Sequence, residues 1–363
     1  MSGQVAWSPP QRQALKEAID RFKGYTATES YRSDLEDRER RVKFFQQELP
    51  GRLEQLAEAD VEEIVSLLWA HRMWGNKASV AQKLVEENGL EHLRQCLRLL
   101  YSPGLEPEEA YERFLSSVKR WGPASVTEML AYIYPERCGI WNRQARTALQ
   151  MLGLADQIDV KKYQLSGQEY RHFNRLLQAI AEEMRQAGLQ EVDLLVVHFL
   201  LYEVAASQGD AEATVRQVQA LGGFDHDEIR DLIATIGENL GFETEREVLV
   251  AKGAKVDVVW RARIGNLGMV TYVFEVHRSG SIDSLILNLQ KALNAPTVQK
   301  VIAVSDESQL QRIERESADL PESFRRALRL WNVVDVVEVA DALERAMGRI
   351  NKLELLGRSR ELR

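Results

Sequence analysis

The spacing of apolar residues changes once along the chain, from a helical period to an alternating one. From about residue 11 to residue 206, apolar residues recur three and four positions apart, as in "VEEIVSLLWAHRMW", and Gly and Pro fall mainly between such segments. This spacing predicts a helical domain over residues 1–206. The polar stretch that follows, beginning "SQGDAEATVRQ", predicts a linker over residues 207–222.

Beyond the linker the pattern predicts an α/β domain over residues 223–363. Its predicted elements are a helix near 227–240, strands at 243–250, 255–263 and 269–277, a helix near 282–294, a strand at 299–304 and a later α/β tail. The order is α-β-β-β-α-β. The chain as a whole is therefore expected to be an α+β protein with two domains, the first of them all-α.

Composition and charge narrow the classes of protein that the sequence allows. With 45% hydrophobic and 28% charged residues, the chain is typical of a globular protein, and its 363 residues can bury two cores. The longest apolar stretch, "LLVVHFLLY", is too short to cross a bilayer, and the first residues lack a signal-peptide pattern. We therefore expect a cytoplasmic protein with no membrane partner.

Cysteine, histidine and net charge exclude further classes. Two cysteines exclude a disulfide framework, and the six histidines lack the spacing of a zinc site. The net charge of −8 argues against a protein that coats nucleic acid over its whole surface, although it allows a local basic groove. Any contact with DNA is expected to be a patch.

Two apolar runs in the second half predict a β-hairpin with an unusual pair of acids. "AKVDVVWRA" and "GMVTYVFEVH" flank "IGNLG", whose Gly and Asn residues suit a reversal. A turn centred on Asn266 places Arg263 opposite Met269 and Asp257 opposite Glu275, with the two acidic Cβ atoms roughly 5 Å apart. Like charges in this position destabilise a hairpin unless a cation lies between them, and carboxylates suit Mg²⁺.

The alternation along the second strand predicts two unlike faces. Glu275 and His277 lie on the face of Val273, whereas Phe274 lies on the other face. We expect the face of Phe274 to pack and the face of Glu275 to be polar. Asp257 as an exposed strand residue and His277 as a half-buried histidine are the alternative interpretations, and we favour metal binding because two facing carboxylates need an explanation that one would not.

Asp257, then Glu275-Val276-His277 after a hairpin, preceded by a helix and "GFETE", resembles the PD-(D/E)XK nuclease superfamily, which has the restriction-endonuclease-like fold. The resemblance covers about residues 224–305. It implies an αβββαβ core in which Asp257 and Glu275 bind Mg²⁺ or Mn²⁺, and the metal helps to activate water for phosphodiester hydrolysis. A Glu from the first helix often contributes in this superfamily, and Glu228 is the corresponding candidate.

One position departs from the superfamily pattern. His277 stands where the superfamily usually has a lysine, and a neutral histidine reaches less far than an ammonium group. Gln290 and Lys291 on the following helix are candidate replacements, and only Lys291 supplies a positive charge. For Glu228 we favour a capping box with Asp225 over metal binding.

A stretch of the first half, "SSVKRWGPASVTEMLAYIYPERCGIWNRQARTALQMLGL" (residues 116–154), resembles the helix-hairpin-helix region of DNA-repair glycosylases. The resemblance implies a hairpin whose backbone amides bind a DNA phosphate, flanked by basic side chains. Gly122 matches the second hairpin glycine, and Arg120 stands in place of the first. The implied DNA-binding residues are Lys119, Arg120, Gly122, Arg143 and Arg146.

Two features of this stretch limit what the resemblance implies. Trp141-Asn142 occupies the region where glycosylases have their catalytic Asp, so we do not expect glycosylase chemistry. An ordinary helical hairpin, with Asn142 as an N-cap and the arginines on a solvated face, remains an open alternative.

The sequence thus predicts a Mg²⁺-dependent DNA endonuclease in a restriction or repair setting. In this hypothesis Asp257 and Glu275 hold the metal, His277 orients or deprotonates water, and the helical domain holds duplex DNA. The alternative is a DNA-binding or assembly protein that has the nuclease fold without its chemistry. A helical scaffold for protein partners ranks last. Duplex cutting often needs two active sites, which leaves a homodimer open.

Overall fold

The computed structural model describes residues 6–71, 77–206, 224–263 and 268–351. These residues belong to two compact units, one helical and one α/β. The linker predicted at 207–222 and the hairpin turn predicted around Asn266 lie outside the described residues, so they stay predictions. No helix in the described part of the chain has the length and hydrophobicity needed to span a membrane.

The first unit is helical, as the three- and four-residue spacing predicted. Its α-helices are α1 (Pro9–Thr26), α2 (Glu29–Lys43), α3 (Leu49–Arg52), α4 (Glu58–Leu67), α5 (Lys77–Asn88), α6 (Leu90–Leu99), α7 (Pro107–Ser117), α8 (Pro123–Ile133), α9 (Arg143–Met151), α10 (Gly167–Gln186) and α11 (Leu194–Ala206). Helix α8 is central, because every residue from Ser125 to Ile133 is buried. Such a helix packs on all sides instead of on one face.

The second unit has the predicted order of helices and strands. Its elements are α12 (His226–Asn239), β1 (Glu243–Ala251), β2 (Ala254–Arg263), β3 (Met269–Val276), α13 (Ile282–Leu293), β4 (Val298–Ser305), α14 (Glu307–Ser317), α15 (Glu322–Ala327), β5 (Leu328–Asn332) and α16 (Val333–Asn351). The described strands form a five-stranded sheet in the order β1-β2-β3-β4-β5. Strands β1 to β3 are antiparallel, and β3 to β5 are parallel. The chain is therefore an α+β protein with a helical first half and a mixed sheet in the second.

The register of the β2–β3 hairpin is the one that the sequence predicted. Val258 pairs with Phe274 at one end of the ladder, and Arg263 pairs with Met269 at the other. Asp257 and Glu275 come next in this register, at the end of β3. The acidic pair therefore lies where β3 leaves the sheet.

The prediction of one packed and one polar face for β3 is wrong. Val273 is fully buried in a cluster with α13, while Phe274 is buried on the opposite face with α12 and α16. The crossover helices that join the parallel strands cover the face of Val273, and α12 and α16, which precede and follow the sheet, cover the face of Phe274. The charged side chain of β3 is Glu275, one residue before the end of the strand.

Candidate active site

Each carboxylate of the Asp257–Glu275 pair accepts a hydrogen bond from a backbone N–H of the neighbouring strand. The backbone N–H of Asp257 donates to Oε2 of Glu275 at 3.2 Å, and the backbone N–H of Val276 donates to Oδ2 of Asp257 at 2.7 Å. No described residue donates a hydrogen bond to the other oxygen of Asp257, Oδ1. The two carboxylates therefore converge across the hairpin, and Oδ1 of Asp257 keeps its acceptor capacity.

Asn288 of helix α13 holds both strands at this point. Its side-chain Nδ2 donates to Oε1 of Glu275 at 2.8 Å and to the backbone carbonyl of Lys255 at 2.7 Å. A primary amide has two N–H groups, so both bonds form at once. Sequence reasoning missed Asn288, although a polar residue inside the apolar helix "ILNLQKAL" could have identified it.

His226, the first residue of α12, contacts the carboxylate pair from the other side of the sheet. Its Nε2 lies 3.3 Å from Oδ2 of Asp257. The hydrogen bond to Asp257 raises the pKa of His226 to about 9, although partial burial works in the opposite direction. Sequence reasoning missed this residue. The feature that could have identified it is its position directly after Asp225, the N-cap of α12. The side chain of Asp225 accepts hydrogen bonds from the N–H groups of Asp227 and Glu228.

The surroundings of Glu275 favour the neutral form of its carboxyl group. Burial raises its pKa to about 7, and the negative charge of Asp257 adds to this effect. The hydrogen bond from Asn288 lowers the pKa but does not outweigh burial. A cation between the two carboxylates would offset their repulsion and favour the ionised pair.

A third acidic residue, Glu247, lies on the edge strand β1 next to the Asp257–Glu275 pair. Its neighbours Arg246 and Val248 pair with Val258 and Val256, so Glu247 lies opposite Asp257. Its φ of 53° is in the left-handed region, which is costly for a residue with a side chain and often occurs at functional sites. No sequence pattern indicates this conformation.

The side chain of Glu247 is paired with two cations. Lys255 Nζ lies 2.7 Å from one oxygen, and Arg230 Nη1 lies 3.1 Å from the other. Its charge is therefore compensated by two cations, whereas the Asp257–Glu275 pair has His226 beside Asp257.

Glu228, predicted as a third metal ligand, does not complete a metal cluster. No group of three or more His, Cys, Asp or Glu side chains that could hold a metal ion occurs in the described ranges. Glu228 instead lies in the first turn of α12, where its N–H donates to the capping Asp225. The described acids fit Mg²⁺, which is commonly bound by one or two carboxylates, waters and substrate phosphates, better than a metal that needs a full protein cage.

A cavity of about 490 Å³ opens beside the carboxylate pair. It is lined by Glu275, Val276, His277, Ser279, Ser281, Ser284, Leu285, Leu287, Asn288 and Lys291. Lys291, the candidate replacement cation, lines the same cavity as Glu275, and its role stays a prediction. Gln290 is not among the lining residues.

His277 is more buried than its position after β3 suggested. It is 7% exposed, and its backbone N–H donates to the carbonyl of Val304 at 2.8 Å. Burial lowers the pKa of its imidazole, and the nearby charge of Arg312 lowers it further. Its Nε2 has no hydrogen-bond partner among the described residues. His277 is therefore a neutral histidine at the wall of the cavity.

In the helical unit, the segment between α7 and α8 forms the tight hairpin that the sequence indicated. Arg120 has a φ of 68°, the conformation for which glycine is usually selected. Its guanidinium group pairs with Glu87, and the backbone of Lys119 is held by the side chain of Asn88. Lys119 is exposed, whereas the Arg120 side chain is only 12% exposed.

The five predicted DNA-binding residues do not form one exposed patch. Arg146 is 4% exposed because helix α9 packs against α11 through the face that carries it, which corrects its assignment to the surface. Arg143 is half-buried at the first position of α9. Gly122 is the N-cap of α8, and a Cβ atom there would lie 2.8 Å from the Tyr163 hydroxyl oxygen. Lys119 is therefore the exposed cation of this set.

Asn142 has the structural role of an N-cap. Its side-chain Oδ1 accepts from the N–H of Ala145 at 2.9 Å at the start of α9. Trp141 is 1% exposed, and its indole N–H donates to the carbonyls of Lys162 and Tyr163. Trp141 and Asn142 thus serve packing and capping in this structure.

Comparison with known protein families gives a match within the helical unit. Residues 51–196 match the model of a family described as putative 8-oxoguanine DNA glycosylase OGG-like protein. No curated protein matches the chain. No solved structure matches it either. The family match covers less than half of the 363 residues, and it contains the whole segment from α7 to α9.

Proposed function

We propose that this chain is a DNA-processing protein whose α/β unit hydrolyses phosphodiester bonds with Mg²⁺ or Mn²⁺ held by Asp257 and Glu275. The observation that carries the proposal is the approach of these carboxylates across the β2–β3 hairpin, where each accepts a hydrogen bond from the backbone of the neighbouring strand and the charge of Asp257 helps to raise the pKa of Glu275. The order α12-β1-β2-β3-α13-β4 agrees with the αβββαβ core of the PD-(D/E)XK superfamily. Both features support a nuclease of that kind.

DNA as the substrate is supported by the helical unit. The match to the OGG-like family indicates a repair setting, and the α7–α8 hairpin presents an exposed Lys119 beside a backbone turn. Backbone turns and lysines of this kind contact phosphates and do not read sequence. Base excision is not proposed, because Asn142 replaces the glycosylase carboxylate and caps α9.

Each residue of the proposed site has its own role in hydrolysis. A bound Mg²⁺ would polarise the phosphate and lower the pKa of its water. Asp257 and Glu275 hold the ion, and Asn288 fixes Glu275 by its hydrogen bond. Lys291, in the same cavity as Glu275, offsets charge on the phosphate. His277 remains a candidate for orienting water.

A second function, DNA binding without hydrolysis, is favoured by one observation. His277 occupies the position of the superfamily lysine and is buried in a neutral form. If Lys291 does not replace that charge, the fold would bind DNA without cutting it. Metal binding distinguishes the two functions, because only the nuclease needs an ion at Glu275.

The test is cleavage of plasmid DNA by the full chain with and without Mg²⁺ or Mn²⁺. Asp257→Asn should reduce metal-dependent cleavage by roughly a hundredfold or more, since it removes a ligand charge. Asp319→Asn is the matched control, because Asp319 is exposed and remote from the cavity lining. Equal cleavage by the two variants would exclude the proposed site. Calorimetry with Mn²⁺ on Glu275→Gln reports metal binding directly and separates the nuclease from the silent fold.

A further inference from the structure

Strand β1 changes the face on which it packs at Glu247. Before this residue, the side chains of Thr244 and Arg246 form hydrogen bonds to helix α12. After it, Val248 packs against the cluster that contains α13, on the opposite face of the sheet. Even-numbered residues of a regular strand all lie on one face, so we assign the change to the left-handed backbone of Glu247, whose φ is 53°.

The left-handed backbone brings the carboxylate of Glu247 to the side of the sheet that α12 covers. Regular alternation would send the side chains of Arg246 and Glu247 to opposite faces. Both instead contact α12, Arg246 through Asp231 and Glu247 through Arg230. A glycine adopts this backbone conformation without the steric cost that a side chain brings. Because position 247 carries a glutamate, its carboxylate is the feature that needs an explanation.

Arg230 is the anchored partner of this carboxylate. Its Nη1 lies 3.1 Å from one oxygen of Glu247, and its side chain is 17% exposed. The same guanidinium group pairs with Asp227 at 2.8 Å and with Asp231 at 3.5 Å. These two acids hold Arg230 on α12 independently of Glu247. One oxygen of Glu247 is therefore fixed by a cation that has other partners.

Lys255 is the exposed partner of the same carboxylate. Its side chain is 62% exposed, and its Nζ lies 2.7 Å from the second oxygen of Glu247, the ion-pair partner that Lys255 has among the described residues. Lys255 precedes Asp257 by two residues on β2, so its flexible four-carbon side chain can reach the acid pair. Asn288 binds both the backbone carbonyl of Lys255 and the carboxylate of Glu275. Without Glu247, these acids are the nearest alternative partners on the sheet.

We propose that Glu247 is a positioning residue of the candidate active site, which holds Lys255 away from the Asp257–Glu275 pair. The inference rests on the proposed function, because a lysine paired with either acid would repel the divalent ion that the pair is proposed to hold. An exposed ion pair contributes little to stability, so stabilisation of the fold does not explain a strained glutamate at this position. Glu247 acts through Lys255 and does not itself hold the ion.

The first test is a crystal structure of the full-chain Glu247→Gln variant, grown in EDTA. Glutamine keeps the shape of the side chain and removes its charge, so Lys255 loses its ionic partner. We expect Nζ of Lys255 within about 4 Å of a carboxylate oxygen of Asp257 or Glu275. A structure in which Lys255 stays away from both carboxylates would overturn the inference.

The second test is the affinity for Mn²⁺, measured by calorimetry in a double-mutant cycle. Glu247→Gln should weaken binding by roughly tenfold, because Lys255 then occupies the acid pair. Lys255→Met alone should change the affinity by less than about twofold, since Glu247 already compensates that charge. In the Glu247→Gln background the same substitution should restore wild-type binding. An equal effect of Lys255→Met in both backgrounds would show a general effect of charge and would overturn the inference.

Glu245→Gln is the matched control, because it removes the same charge from an exposed position of the same strand. The partner of Glu245 is Arg261, which lies four residues beyond Asp257, roughly 13 Å along β2. The Mn²⁺ affinity of this variant should stay within about twofold of the wild-type value. A loss as large as that of Glu247→Gln would contradict a specific role of Glu247. Thermal unfolding of each variant shows whether the fold is intact.

Failure of this inference can be told apart from failure of the proposed function. The crystal structure of Glu247→Gln needs neither a metal nor cleavage. Lys255 on the acid pair of that variant, in a protein that does not bind Mn²⁺, would leave the role of Glu247 standing and exclude the metal site. Metal-dependent cleavage by the wild type, with Lys255 away from the acid pair in Glu247→Gln, would do the reverse.

Discussion

Glu128 in the helical unit and Glu275 in the α/β unit both have pKa values that burial raises, and they differ in how their charge is compensated. Glu128 in helix α8 is 1% exposed and accepts hydrogen bonds from the N–H groups of Trp69 and Ala70 and from the Tyr132 hydroxyl. Arg41 opposes the rise in its pKa that burial causes. Glu275 accepts hydrogen bonds from Asn288 and from the N–H of Asp257. The charge that acts on it most strongly is negative, because it is that of the Asp257 carboxylate.

The difference teaches how to separate a structural acid from a candidate site. At Glu128 the donors and the cation come from the protein itself, so nothing further is needed. At Glu275 the protein brings two acids together, and the one cation described beside them, His226, pairs with Asp257 and not with Glu275. Burial and a raised pKa are common to both, and only the partners distinguish them.

The largest expected effect is on the structural acid. Glu128→Ala leaves two amides, a hydroxyl and the charge of Arg41 without their partner, and it should reduce the free energy of unfolding of the helical unit by about 3–5 kcal/mol. Urea unfolding followed by hydrogen exchange of the helical unit measures this loss. The control Glu62→Ala, at an exposed position of α4, should stay within about 0.5 kcal/mol. Similar values for both variants would contradict the structural role of Glu128.

A smaller effect on the free energy of unfolding is expected at Glu275, where removal of the charge should stabilise the protein at pH 8 instead of destabilising it. Its pKa is about 7 in the folded protein against an ordinary value of 4.5, so the folded state binds more protons than the unfolded state between these values. The free energy of unfolding of the α/β unit should therefore decrease as the pH rises through this window, by at most about 1.4 kcal/mol per pH unit. Glu275→Gln does not titrate.

The difference between wild type and Glu275→Gln, measured in EDTA by urea unfolding at several pH values, isolates this effect. At pH 8 the variant should be the more stable protein by about 1 kcal/mol, because the like-charge pair is gone while one hydrogen bond is lost. A difference that does not change with pH would show that Glu275 is compensated as fully as Glu128, and the comparison would fail.

The smallest effect concerns the polar residue that replaces the glycosylase acid. Asn142→Ala removes the cap of α9 and should cost about 1 kcal/mol, whereas Asn142→Asp keeps an acceptor for the N–H of Ala145 and should change stability by only a few tenths of a kcal/mol. Thermal unfolding of the two variants measures both. A large loss in Asn142→Asp would mean that the side-chain amide group, and not its oxygen, is needed there.

Much of the α/β fold follows from local pattern. Alternation located β1, β2 and β3 to within a residue or two, and a turn predicted around Asn266 gave in advance the register that pairs Val258 with Phe274. Because the side-chain period of a strand is two, this register also placed Asp257 opposite Glu275. The polar face expected for β3 was wrong, because local alternation cannot show that crossover helices cover one side of the sheet while α12 and α16 cover the other.

The candidate site was accessible to sequence reasoning only in part. The acids that face each other across one hairpin are close in the chain, so their register could be worked out. His226 and Asn288 come from helices before and after the hairpin, and their contacts depend on how those helices pack on the sheet. The burial of Arg146 likewise depends on the packing of α9 against α11, which its charge alone does not reveal.

The sequence by itself determined the change from helices to a mixed sheet, the order of elements in the second half and the pairing of two carboxylates, because each depends on periodicity or on residues near one turn. Only the tertiary structure decided which charges are compensated. It gave Glu128 a set of amides and a cation, gave Glu247 a lysine and an arginine, and left Asp257 and Glu275 facing each other. Charge compensation depends on distances between elements that are remote in the chain, and no local pattern encodes them.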